Sequence, residues 1–174
     1  MASTIDFTKF SLVDALDLAI FVEDEAKERY EDLTAQMKGH HTEEAAEFFK
    51  FMVANESKHA EDLRTRRRQL YGDVPSKVSP NMVFEVEAPG FEEVRAFMTP
   101  REALAVALRA EEKAWAFFNE AIAALPAESE VARLFVELRA EEIEHQDLVR
   151  RQIGKLPPDS GQKVTDYEDE PVGL

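Results

Sequence analysis

The stretch "ANESKHAEDL", residues 54–63, sets His59 three residues after Glu56 in a segment of helical periodicity, and "AEEIEHQDLV", residues 140–149, repeats the arrangement with Glu142 and His145. Residues three apart share one face of a helix, about 4.5 Å apart along its axis, so each pair can aim a carboxylate oxygen and an imidazole nitrogen at one point. A single Glu-x-x-His is far more often a solvated ion pair than a ligand set. Two of them need a common explanation.

Working outward, four long segments carry a helical pattern. The first runs from Ser11, a candidate N-cap, to Lys38, and Gly39 supplies a stop. The second runs from Thr42 to Tyr71 and stops at Gly72. The third opens at "TPRE", residues 99–102, where Thr99 can cap, Pro100 suits the first helical position and Glu102 closes a capping box; it continues to Leu125. The fourth starts after Pro126 and fades near Gly154, ahead of Pro157 and Pro158. Short links within the first and second pairs imply antiparallel hairpins. The connection from Gly72 to Met98 is long, contains Pro75, Pro80 and Pro89, and includes "NMVFEVEA", residues 81–88, which alternates weakly like an extended strand. The expected fold is all-α: a four-helix bundle of two hairpins joined by a long crossover. The bundle is assigned to residues 1–155, and residues 156–174 to an acidic tail containing proline and glycine, expected to be mobile or to lie on a neighbouring subunit.

Alternating steps of three and four residues give the inward stripe of each helix. The first reads Leu12, Leu16, Ala19, Glu23, Ala26, Tyr30, Leu33, Met37; the second Ala45, Phe49, Met52, Glu56, His59, Leu63. The third reads Leu104, Ala107, Glu111, Ala114, Phe118, Ala121, Leu125; the fourth Val131, Phe135, Leu138, Glu142, His145, Val149. Every stripe is apolar except at one level, where Glu23, Glu56, His59, Glu111, Glu142 and His145 should meet. Four converging carboxylates in an apolar core cost several kcal/mol each unless neutralised. Two divalent cations balance them; protonation is the alternative, and it leaves several carboxylic acids needing partners among apolar neighbours.

The chain also repeats itself. Glu23, Glu56 and His59 correspond to Glu111, Glu142 and His145 at offsets of 88, 86 and 86 residues, and Tyr30 falls opposite Phe118. A pseudo-twofold bundle then gives each metal one terminal glutamate and one histidine, and leaves two glutamates to bridge.

In "EDEAKERY", "ESKHA", "AEEKA" and "EEIEH" the chain resembles the ferritin-like superfamily, and its rubrerythrin-type branch in particular, across nearly all of residues 11–153. The resemblance implies a di-iron site with those six residues as ligands, Glu56 and Glu142 as bridges, and Tyr30 orienting a glutamate on a facing helix. Manganese or a mixed pair is the alternative metal content. Rubrerythrins proper carry a cysteine-rich rubredoxin domain, absent here, and a further glutamate one turn after the third-helix ligand, where this chain has Ala114. The site therefore looks more like the four-glutamate, two-histidine centre of bacterioferritins.

Composition narrows the chemistry. With 36 acidic against 21 basic residues and a net charge of −15, nucleic acid and anionic membranes are poor partners. No cysteine is present, which excludes thiolate zinc, iron–sulfur clusters and thiol redox chemistry, so electrons must come from an external donor. No apolar run approaches a membrane span, and a cytoplasmic setting is expected. Glu112, Glu141 and Glu144 are read as surface charges, His40 and His41 as an exposed turn, Trp115 as packing, and "RTRRR", residues 64–68, as charge suited to a helix C-terminus. The expected function is oxidation of Fe(II) with reduction of hydrogen peroxide or dioxygen, a peroxidase or ferroxidase, in a homodimer or higher homo-oligomer. The alternatives are iron storage or delivery in a larger assembly, hydroxylation of an organic substrate, and a helical interaction module whose polar layer only fixes register.

Overall fold

The computed structural model describes residues 5–39, 43–83, 86–87 and 99–157, the side chain of Glu44 apart. Four helices carry the fold: α1 (Leu12–Gly39), α2 (Glu43–Tyr71), α3 (Pro100–Ala123) and α4 (Glu130–Lys155). Among the described residues there is no strand. Helices α1 and α2 pair as one hairpin and α3 and α4 as the other, with slighter contact between α1 and α4 and between α2 and α3. This is the four-helix bundle of two hairpins that the stripes imply, and it is of the ferritin-like type that the resemblance implies.

The helix starts follow from local chemistry. Ser11 and Asp14 cap α1 reciprocally: the Ser11 amide donates to Asp14 Oδ2 at 3.0 Å, and the Asp14 amide reaches Ser11 Oγ at 3.4 Å. At α3 the capping box forms, with the Glu102 amide on Thr99 Oγ1 at 3.2 Å and the Thr99 amide on Glu102 Oε2 at 2.8 Å. Helix α4 begins later than Pro126 because Ser129 is the residue that caps it, accepting from the Ala132 amide at 3.1 Å. Gly72, at φ +53°, takes the left-handed turn that ends α2.

The interior is divided in two. One apolar half gathers the first part of α1 (Leu12 to Val22), Leu63, Phe118, Ala121, and Val131 to Leu138 of α4. The other gathers Ala26 to Met37, Ala45 to Met52, Ala103 to Ala107 and Val149. Between them lies the level of Glu23, Glu56, Glu111 and Glu142, one per helix, all buried. The basic run near the end of α2 ties helices together. Arg64 pairs with Asp24, Arg66 with Glu137 at 2.6 Å, and Arg67 with Asp17 at 2.8 Å, while Arg67 also donates to the Gly72 and Val74 carbonyls.

The crossover departs from the expected strand. It is pinned to α1 where the Lys77 amide donates to buried Asp14 Oδ1 at 2.8 Å. Pro80–Met82 then forms a 3-10 turn, buried Val83 enters the first apolar half, and the Val86 amide bonds back to the Val83 carbonyl at 3.1 Å. Among the described residues of the crossover, proline at the head of the turn and local i to i+3 bonds stand in place of strand pairing. Trp115 is half-buried, as packing would have it. His40, His41, the rest of the crossover and the tail from residue 158 lie outside the described residues.

Candidate metal centre

Each helix delivers its glutamate because the three-and-four spacing holds one face toward the axis. Fully buried Glu56, Glu87 and Glu111, with Glu23, Glu142 and His145 nearly so, meet at the layer between the apolar halves. The ligand atoms of Glu56, Glu87, Glu111 and His145 all lie within 4.8 Å of one another; those of Glu56, His59 and His145 do so as well, and those of Glu23, His59 and Glu141 form a third such group. Glu56 thus belongs both to a lobe with Glu87, Glu111 and His145 and to one with His59. Glu142 stands 3.9 Å from His145 Nδ1 but outside these closest groups.

The histidines are held face to face, ring centroids 5.0 Å apart and planes 9° from parallel. His145 Nδ1 lies 3.2 Å from Glu111 Oε2 and 3.9 Å from Glu56 Oε1. His59 Nδ1 lies 3.9 Å from both Glu23 Oε2 and Glu141 Oε2. Tyr30, fully buried and stacked on Phe49, donates its hydroxyl to Glu111 Oε1. It thus bonds a glutamate carried by α3.

Around these residues polar atoms are left without partners. Both oxygens of Glu56, both of Glu87, Glu23 Oε2, Glu142 Oε2 and His59 Nδ1 are buried with no hydrogen bond. Buried lone pairs are normally satisfied, and this many in one layer require a cation or protons. Burial pushes Glu23 up to about 8, and burial with neighbouring carboxylates holds Glu56, Glu87 and Glu142 well above the ordinary carboxylate range. Burial would lower His145, but its bond to Glu111 and the surrounding carboxylates outweigh that and raise it; His59 is lowered by burial and then by His145. Oxygen and nitrogen donors, orphaned and convergent, suit a pair of first-row divalent metals.

Two residues escape the sequence reading. Glu87 enters from the crossover, so the layer holds five convergent glutamates rather than four. Its only signal is a glutamate set among apolar residues in "VFEVEA", and neither the helical spacing nor the repeat singles it out. Glu141, expected on the surface, is only part-exposed and flanks His59; its place next to Glu142 hid it, because a one-residue step turns a helix by about 100°. Glu112 and Glu144 are exposed as expected.

Residues 13–158 match the ferritin-like domain family, and the chain belongs to it. The chain is also similar to an uncharacterized conserved protein from Magnetospirillum magnetotacticum MS-1, known from a crystal structure at 2.00 Å resolution. The two are 31% identical, with a TM-score of 0.68, over 87% of this chain and 99% of that one. No curated protein matches. No helix among the described residues is long and apolar enough to cross a membrane.

Proposed function

We propose that the chain is a non-haem di-iron oxidoreductase of the rubrerythrin or bacterioferritin kind, which reduces hydrogen peroxide or dioxygen while Fe(II) is oxidised. The observation that carries this is the orphaned layer itself: convergent buried carboxylates and two histidines, with Glu56 common to both lobes. Glu23 and His59 would hold one metal and Glu111 and His145 the other, with Glu56 between them and Glu142 beside His145. Paired iron supplies two one-electron steps at one place. Bound Fe(II) would supply the two electrons that, with two protons, cleave the O–O bond of peroxide to two waters. Tyr30 keeps Glu111 oriented, and the apolar halves on either side exclude bulk water.

Access favours a small oxidant. The groove that reaches His59 and Glu141 holds about 140 Å³ and is lined also by Asp62, Leu63, Arg66, Leu134, Glu137 and Leu138. That is well below the roughly 300 Å³ at which organic-ligand pockets begin, which argues against a hydroxylase. A larger groove of about 710 Å³, between Phe48, Phe51 and Leu156, touches none of the ligand residues. With no cysteine among these residues to relay electrons, the centre returns to Fe(II) through a donor outside the bundle. A cytoplasmic homo-oligomer suits this role, and the division into a bundle to residue 155 and a tail beyond it is kept as part of the same proposal.

The test is an anaerobic Fe(II) titration of the metal-free chain, followed by parallel mixing with hydrogen peroxide and with air while near-ultraviolet ferric absorption is followed. Saturation at about two irons per chain, with faster oxidation by peroxide, supports the peroxidase. Faster oxidation by air with continued iron uptake moves the assignment to iron storage. No stoichiometric binding leaves a structural polar layer and overturns the proposal.

A further inference from the structure

Glu87 is out of place for a residue of a connecting segment. It is fully buried, yet both of its carboxylate oxygens lack a hydrogen-bond partner. Its carboxylate lies within 4.8 Å of the ligand atoms of Glu56, Glu111 and His145, and other carboxylates, Glu23 and Glu141 among them, press on it electrostatically. A buried carboxylate facing carboxylates is costly, and the position persists only if something positive comes to it.

The chain upstream is built to bring it there. Asp14 holds the Lys77 amide, Val83 is sunk in the first apolar half, and the Val86 amide bonds back to the Val83 carbonyl immediately before Glu87. We infer that Glu87 is a further metal ligand, delivered by the crossover rather than by a helix, so that loading the centre fastens this segment to the bundle. The inference rests on the dimetal reading above and adds to it a non-helical arm. Charge gives the arm a second consequence. Glu87 adds one negative charge to what the other carboxylates bring, so it favours the oxidised pair more than the same set without it would.

The experiment uses the full chain, wild type and Glu87→Gln, stripped of metal and titrated with Co(II), with hydrogen exchange at the Val86 and Glu87 amides read before and after loading. The wild type should take up about two Co(II) per chain and slow exchange at both amides by at least about tenfold. Glu87→Gln should bind at least one Co(II) about tenfold or more weakly, with altered visible absorption, and lose the metal-dependent protection. Without metal the variant should melt no lower than the wild type, because it removes a buried carboxyl that has no hydrogen-bond partner; a merely structural glutamate would give the opposite. If Glu87→Gln does not fold, Glu87→Asp is read instead, and it should lose the protection because its carboxylate is drawn back by one methylene. Wild-type affinity, absorption and protection in the folded variant would overturn the assignment of Glu87 while leaving the dimetal reading intact. Failure of the wild type to bind Co(II) would overturn both.

Discussion

At the scale of single residues, the centre depends on which side chains are shared. Glu56 has ligand atoms in groups with either histidine, whereas Glu23 meets only His59. Glu56→Ala should therefore abolish tight binding of both metals, and His59→Ala should leave one metal in the Glu87, Glu111 and His145 lobe. Metal analysis after dialysis against dilute Fe(II) checks this, and two metals in both variants would refute the ligand assignment. Tyr30→Phe keeps the ring stacked on Phe49 and removes only the hydroxyl on Glu111. It should still bind two irons but oxidise them about 10- to 100-fold more slowly in stopped-flow mixing, the cost common when a ligand loses its orienting partner. The helix-borne residues were legible because a carboxylate on an otherwise apolar stripe breaks a strong pattern. Glu87 was not, because an irregular segment has no period against which one residue can stand out.

At the scale of elements, the hairpins and their caps follow from short-range rules, and Thr99, Pro100 and Glu102 mark the start of α3 in the sequence as they do in the fold. The crossover follows from none. Its path is set by distant anchors, chiefly Asp14, which binds Ser11 of its own helix cap and the Lys77 amide 63 residues away. Those bonds lower the Asp14 carboxyl despite its burial. Asp14→Ala should cost about 1–3 kcal/mol in denaturant unfolding, since it removes a cap and strands a part-buried amide. It should also weaken metal binding although Asp14 is remote from the metals, because the arm that carries Glu87 loses its first hold. Unchanged metal affinity in a destabilised Asp14→Ala would show that the crossover keeps its course without that anchor.

At the scale of the whole molecule, the buried layer makes stability depend on pH and metal together. Glu23, Glu56, Glu87 and Glu142 bind protons more tightly in the folded chain than their ordinary value of 4.5 allows, Glu23 up to about 8. The folded state therefore holds more protons than the unfolded one over this window. The stability these glutamates contribute is fully present below about pH 4.5 and is lost as pH rises, for Glu23 through about 8; His145 acts in the same sense, while His59 and the lowered Asp14 oppose it. Thermal melts of the metal-free chain should be lower at pH 8 than at pH 5, by an amount reflecting several kcal/mol, and metal should reverse the order. Calorimetry in buffers of different ionisation enthalpy should show protons released on binding near pH 7. The overall fold was legible because it rests on repeated stripes and two hairpins, and the depth at which the stripes break gave the level of the centre. That same break has a mechanical side. A core cut by a charged layer into two apolar halves lacks the continuous contact that makes a small domain unfold as one unit, so without metal one half can loosen while the other stays folded. Metal held by this layer, as proposed, would act as a rivet, and the all-or-none character of unfolding would become a property conferred by metal rather than by the chain alone.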